Sequence, residues 1–328
     1  MKDRDKTTLI IPIAGQSSRF PGLKPKWMLT HPKGQMMINA SISSFDLTEV
    51  KEIVVGVLKK HLDAHKIEKG LKASFKGINI PLRFAILSHE TKSQPETVFR
   101  IIEMLNLTGP IFVKDADNQF SHRPTPGNYV TVADINKINT LSKPASKSYV
   151  SYDEKGVLNN IVEKKIISQY YCTGGYSFSS AKNFVDTFKK IKSKDLYVSH
   201  IIFEQMLNEK KSFLMSEVEN VKDWGTIDAW NKYKRRYTTL FLDIDGVIFK
   251  NAGEFSPKTW GEMPIIKENV DYIRKIKQQG YCTIILTTAR PEKYKELTMQ
   301  SLAINGIPYD KIVFGLPHAQ RIIVNDYA

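Results

Sequence analysis

Four short runs of mostly branched aliphatic residues, at 8–14 (TLIIPIA), 52–58 (EIVVGVL), 82–87 (LRFAIL) and 110–113 (PIFV), alternate with segments at 40–45, 61–71 and 96–105 whose apolar residues recur at helical spacing. Apolar runs without alternation suit strands buried on both faces, which is the condition of parallel strands covered by helices. Strand and helix in regular succession therefore predict a doubly wound α/β sheet. Residues 128–135, 148–152, 160–163 and 170–178 add strand-like segments with fewer helices between them, which predicts a mixed-sheet extension. After Arg236 a new apolar strand at 239–242 runs into Asp243. A helix at 265–279, a strand at 282–286, a helix at 291–305 and strands at 311–314 and 321–324 follow it. The expected organisation is two domains, 1–235 and 236–328, the second small for its class and Rossmann-like, with no internal repeat.

Composition excludes several function classes. The 328 residues are 41% hydrophobic and 25% charged, as in globular chains and unlike fibrous or disordered ones. No run approaches the roughly 18 apolar residues of a membrane span, and residues 1–8 are too polar for a secretory signal, so a cytoplasmic chain without membrane partners is expected. Cys172 and Cys282 stand alone beside apolar or aromatic residues and read as buried thiols. The net charge of +14 comes from lysines spread along the whole chain. Its densest run, Lys232-Tyr233-Lys234-Arg235-Arg236, reads as a helix end leading into a linker, and interleaved aromatic and basic residues that would stack on bases are not evident. A nucleic-acid partner is accordingly not expected.

The first strand ends in Ala14-Gly15-Gln16-Ser17-Ser18-Arg19-Phe20, and Pro25-Lys26 follows. A small polar loop after a buried strand lets backbone N–H groups approach a triphosphate, with Arg19 and Lys26 supplying positive charge. This segment resembles the signature of sugar-phosphate nucleotidylyltransferases, with less glycine in the loop than is usual there. Four further matches follow in order: Asp117-Asn118 after the strand at 111–114, Glu163-Lys164, Gly174-Gly175-Tyr176, and Asp223-Trp224-Gly225-Thr226. The resemblance covers about residues 8–233 and implies a nucleotide-diphospho-sugar transferase fold. It assigns Asp117 and Asp223 to magnesium, Arg19 and Lys26 to the triphosphate and transferring group, Ala14, Gly15, Gln16, Ser17 and Ser18 to the nucleotide, and Glu163, Lys164, Gly174 and Gly175 to the acceptor. Asp115, two residues before Asp117, either shares the ion or supports Asp117. Gln94 and Thr97, in Ser93-Gln94-Pro95-Glu96-Thr97, either read the base or belong to a helix N-cap. The chemistry needs these types, because bringing an acceptor phosphate to the α-phosphorus of a nucleoside triphosphate joins two anions.

Asp243-Ile244-Asp245-Gly246-Val247 resembles the first motif of haloacid-dehalogenase-type phosphatases. The resemblance implies Asp243 as nucleophile, Asp245 as general acid and base, Thr288 with Arg290 and Arg321 on the phosphate, and magnesium on Asp243, Asp245 and Asp326. Only Asp326 of Asn325-Asp326 keeps the charge of an acidic pair, and two departures stand out: Leu316 lies where a lysine is expected, and the sequence stops two residues past Asp326, where the resemblance implies a further strand or helix. Arg321 or Lys311 could replace the missing lysine. About 40 residues between Asp245 and Thr288 leave no room for a large cap.

Together the two resemblances imply a bifunctional enzyme. One part transfers a nucleotidyl group, with CTP favoured, to a sugar or polyol phosphate for surface polysaccharide. The other removes phosphate from a related metabolite. The alternative is a monofunctional nucleotidylyltransferase whose phosphatase-like domain serves oligomerisation or regulation. Mg²⁺ is the expected cofactor, and self-association is left open.

Overall fold

The computed structural model describes residues 6–15, 20, 22–137, 143–193, 196–251 and 260–325. The chain divides into two compact units, Met1–Lys232 and Tyr233–Ala328.

In the first unit, strand β1 (Thr7–Pro12) pairs in parallel with β2 (Val50–Leu58), and β2 with β3 (Leu82–Leu87). On its other side β1 pairs in parallel with β4 (Ile111–Lys114). Beyond β4 the sheet turns mixed. Strand β9 (Tyr170–Phe178) runs antiparallel to both β4 and β6 (Tyr129–Asp134), and β10 (Leu214–Glu217) closes the order in parallel with β6. A ribbon of β7 (Ser148–Tyr152) and β8 (Leu158–Glu163) joins through β7 to β9, making nine strands among the described residues. A separate antiparallel pair joins β5 (Asn118–Ser121) to β11 (Glu219–Asp223).

Side chains that alternate along the strands feed two cores. Ile10 and Val54 face one cluster with Val98 and Ile101 of α4 (Gln94–Leu105), Phe184 of α5 (Ala181–Lys190) and Ile201 of α6 (Val198–Leu207). Leu9, Ile11, Ile53 and Val55 face the other, with Ile38 of α1 (Met37–Ile42), Leu62 of α2 (Lys59–His65) and Leu71 of α3 (Glu68–Ser74). Helices on both faces of a largely parallel sheet are the doubly wound arrangement expected from the sequence. One expected element differs. The helix read over 61–71 is two helices, because Lys66 takes the left-handed φ of +48° and its N–H caps α2 on Asp63 and Leu62.

Helix α7 (Ile227–Lys234) lies mostly in the first unit, and the second unit has β12 (Thr238–Asp243), α8 (Lys267–Gln278), β13 (Cys282–Thr287), α9 (Lys295–Ile304) and β14 (Lys311–Val313). Its sheet is parallel in the order β12-β13-β14 over a core of Ile244, Ile248, Val270, Ile284, Leu286 and Leu302. The strand expected at 321–324 is absent: these residues are irregular, and Ile322, Ile323 and Val324 are exposed. An apolar run becomes a strand only where a neighbouring strand offers backbone partners, and the run alone does not supply one. No helix among the described residues is long and apolar enough to cross a membrane.

A buried histidine, His31, and a half-buried one, His122, tie stability to pH. His31 packs on Trp224 at 5.3 Å between ring centres, and burial, reinforced by Lys222 and Lys33, holds it down at about 4. His122 lies 5.2 Å from the Phe112 ring, and burial, with Lys114, likewise holds it down at about 4. The unfolded chain takes up protons near pH 6.5 while the folded chain does not until near pH 4, so acidification through that window removes stability. Urea midpoints measured at pH 7.5 and pH 5 are expected to fall with pH, by less in a His31→Gln/His122→Gln variant.

Candidate active site

Strand β1 ends at a chamber of about 380 Å³ lined by Ile13, Gly15, Lys26, Gln94, Thr97 and Asp117, among others. A second chamber of about 490 Å³ is lined by Lys147, Glu163, Lys164, Gly174, Tyr176 and Tyr197, among others. The two share Lys92, Ser93, Gln94, Asp115 and Asp117. Two small molecules held in them would therefore meet at Asp117. Ala14, expected at the nucleotide, is instead buried in the core at the strand end. Gln16, Ser17, Ser18 and Arg19 lie outside the described residues.

The loop after β4 organises the junction. Lys114 is fully buried, its ammonium donating to the Asp115 carbonyl at 2.6 Å and the Asn118 carbonyl at 3.0 Å and also to Asn118 Oδ1, with the Phe120 ring 4.7 Å away. Burial brings Lys114 down to about 7 against the pull of Asp115 and Asp117. Burial and the Asp117 carboxylate push Asp115 up, while Lys114 and a hydrogen bond from Gln94 Nε2 draw it back. Gln94 opens α4, where the Ser93 hydroxyl accepts from the Glu96 N–H, so this stretch is an N-cap and a cavity wall at once. Thr97 shares its hydroxyl with Thr91 at 2.6 Å.

Asp117 and Asp223 come from opposite ends of the unit. The β5–β11 ladder pairs Asp223 with Asn118, and the Trp224 N–H donates to the Asp117 carbonyl at 2.8 Å. Each carboxylate holds a lysine: Lys26 Nζ is 2.5 Å from Asp117 Oδ2, and Lys147 Nζ is 2.8 Å from Asp223 Oδ2. Both side chains are largely buried. Among the described residues no group of three or more His, Cys, Asp or Glu is gathered for a metal ion. Two carboxylates nonetheless fit Mg²⁺, which takes hard oxygen donors and draws its remaining ligands from water and substrate phosphates. The ammonium groups already on them show that both sites accept a cation.

In the second chamber, Glu163 Oε1 accepts from Ser148 Oγ at 2.5 Å and from Ser199 Oγ. Lys164, at a left-handed φ of +55°, donates to the Tyr197 hydroxyl at 2.7 Å. Gly174 lines this chamber at φ +84°, and a Cβ there would fall 2.5 Å from Asp115 Oδ2 and 2.6 Å from Asn118 Nδ2. One at Gly175 would fall 2.5 Å from Thr131 Oγ1. Gly174→Ala is expected to displace the Asp115–Asn118 loop, costing about 2 kcal/mol of stability, with a lowered melting temperature as the check. Lys147, Ser148, Ser199 and Tyr197 carry no motif and were not expected in the site. Only the charge of Lys147 close before β7 was visible as a signal.

In the second unit, Asp243 ends β12 opposite Thr287 of β13. Arg321 Nη1 is 3.3 Å from Asp243 Oδ2. Arg290 is turned inward: Nε and Nη2 donate to the two Asp245 oxygens at 2.9 and 2.7 Å, and Nη1 to the Trp260 carbonyl and Thr298 hydroxyl. Its guanidinium also lies 5.3 Å from the Trp260 ring. Thr288 is buried, and its hydroxyl accepts from the Arg290 N–H at 3.0 Å. Asp326 lies outside the described residues.

The mixed α/β sheet is consistent with a nucleotide-diphospho-sugar transferase fold. A nucleoside-diphosphate-sugar pyrophosphorylase from Vibrio cholerae RC9 superposes with a TM-score of 0.58 at 21% identity, over 69% of this chain and 99% of that one. The inositol-1-phosphate CTP transferase from T. maritima gives 0.56 at 14%, over 70% and 94%. A UDP-glucose pyrophosphorylase complexed with UDP-glucose gives 0.54 at 16%, over 70% and 97%. At these identities the likeness is one of fold. No protein-family model and no curated protein matches the sequence.

Proposed function

We propose that the first unit transfers a nucleotidyl group from a nucleoside triphosphate to a sugar or polyol phosphate. The observation that carries this reading is the meeting of two chambers at Asp117, with Asp223 brought alongside by the β5–β11 ladder. The fold shared with the pyrophosphorylases and the CTP transferase supports it. In the reaction an acceptor phosphate oxygen forms a bond to the α-phosphorus, the bond from that phosphorus to the β-phosphate oxygen breaks, and pyrophosphate leaves. Asp117 and Asp223 would hold Mg²⁺, which when bound offsets the charge on the phosphoryl oxygens. Lys26, with Arg19, stabilises the triphosphate; Lys164 holds the acceptor, and Gly174 leaves room beside it. Because Gln94 Nε2 is committed to Asp115, its Oε1 is the acceptor left for a base edge, which among the pyrimidines suits the amino group of cytosine and favours CTP over UTP and dTTP. The product is an activated precursor of the kind used for surface polysaccharide. Pyrophosphate release with Mg²⁺ and each of CTP, UTP, GTP, ATP and dTTP against sugar and polyol phosphates tests this. Release with one pairing is expected, and silence across the panel contradicts it.

For the second unit we carry two readings. In the first it is a phosphatase of the haloacid-dehalogenase type: Asp243 would take the phosphoryl group from a phosphomonoester as the alcohol leaves with a proton from Asp245, water would then release phosphate from Asp243, Arg321 and Thr288 would hold the phosphoryl oxygens, and Asp243, Asp245 and Asp326 would hold Mg²⁺. In the second it is a regulatory or oligomerisation module. The second is favoured by the Arg290 fork that occupies both oxygens of Asp245, and by Leu316 where a lysine is expected. Phosphate release from phosphomonoesters that Asp243→Asn abolishes decides for the first; its absence decides for the second.

A further inference from the structure

Each carboxylate assigned to the metal is paired with a lysine, and the two lysines belong to different chambers. Lys26, on Asp117, lines the chamber at the end of β1. Lys147, on Asp223, lines the chamber that holds Glu163 and Lys164. The pairs are close, at 2.5 and 2.8 Å, and the Asp117 and Asp223 side chains are each only 8% exposed. Ion pairs so placed are weakly screened, so a cation on each carboxylate is needed whenever no other is present.

We propose that Lys26 and Lys147 act as exchangeable counter-ions: they neutralise Asp117 and Asp223 until a divalent cation binds, and are then released, one to each substrate. The exchange conserves charge. Two ammonium groups leave two carboxylates and one dication replaces them, so the carboxylate pair is neutral before and after. The two positive charges set free lie in separate chambers, Lys26 where the triphosphate would enter and Lys147 where the acceptor phosphate would. Lys147 thereby becomes a positioning residue for the acceptor. Metal binding and the binding of both anions are thus coupled through side chains already in place, with no rearrangement of the fold. The inference rests on the transferase reading for its substrates, but the exchange itself can be read from metal binding alone.

The test is a titration of the full chain with Mn²⁺, without nucleotide, following the electron paramagnetic resonance of the free ion. Removing the competing lysine in Lys147→Met or Lys26→Met is expected to tighten Mn²⁺ binding about fivefold, the scale of a modest ion pair. Lys147→Gln, which keeps a hydrogen-bond donor without the charge, is expected to do the same and serves if the Met variant fails to fold. Lys147→Arg, whose fork grips a carboxylate with two N–H groups, is expected to weaken binding. Unchanged or weaker binding in the Met and Gln variants overturns the exchange, since a lysine that merely supports the site would loosen the metal when removed. The two proposals fail separately. Pyrophosphate release by the wild type with unchanged Mn²⁺ affinity in the variants rejects the exchange alone. Tighter binding in the variants with no release from any pairing upholds the exchange and rejects the transferase.

Discussion

Asp117→Ala is expected to lower pyrophosphate release by about 10³-fold or more while leaving the chain folded. The carboxylate stands where the two chambers meet and carries Lys26 at 2.5 Å. Its loss removes both a ligand for Mg²⁺ and the counter-charge that keeps Lys26 in place. Electrostatic stabilisation of a transferring phosphoryl group is worth several kcal/mol, and about 4 kcal/mol corresponds to that factor. The backbone around it should hold, because the Trp224 N–H bonds to the Asp117 carbonyl and not to its side chain. Rates with the cognate triphosphate and acceptor, beside thermal melting of the variant, separate a chemical loss from a structural one. Asp223→Ala should follow the same pattern, since Asp223 is the partner carboxylate across the β5–β11 ladder.

Arg290→Ala is expected to have the largest effect on stability, about 3–5 kcal/mol in the second unit, as expected when one member of a buried ion pair is removed. The guanidinium side chain is fully buried, and the two oxygens of Asp245, the Trp260 carbonyl and the Thr298 hydroxyl all take its N–H groups. Without it the buried Thr298 hydroxyl and Trp260 carbonyl lose its donors, the partly exposed Asp245 carboxylate loses its counter-charge, and the space it fills beside Phe249 and Trp260 is lost. Lys cannot replace it, because one ammonium on a flexible stem reaches neither both Asp245 oxygens nor the Trp260 carbonyl together. Denaturant unfolding followed by Trp260 fluorescence reads the shift. A change under 1 kcal/mol would show that the fork contributes little.

What could be read from the sequence tracks burial. Strands β1, β2 and β4 are legible because their Ile, Val and Leu runs are what a covered parallel sheet requires. Asp117 is legible as a carboxylate shortly after such a strand, β4, whereas Lys26, Glu163 and Asp223 stand out only by their likeness to the family's pattern. The pairing that joins Asp223 to Asn118 is not, since β5 and β11 are short, polar and about a hundred residues apart, with no periodicity to mark them. Lys147 shows in the sequence only as a charge close before β7; its place on Asp223 comes from where the mixed extension puts it. Lys66 breaks a continuous helical pattern through a single left-handed residue, which spacing does not encode. At 321–324 the apolar composition is that of a strand, yet the structure pairs it with nothing in the sheet.

The most direct test of the central claim is ³¹P nuclear magnetic resonance of the complete reaction with Mg²⁺, CTP and the acceptor selected by the pyrophosphate assay. The account predicts that the CTP resonances are replaced by free pyrophosphate and by two coupled phosphorus signals of an unsymmetrical diphosphate, in equal amounts. Inorganic phosphate with CDP or CMP, or unchanged CTP beside unchanged acceptor, would contradict it.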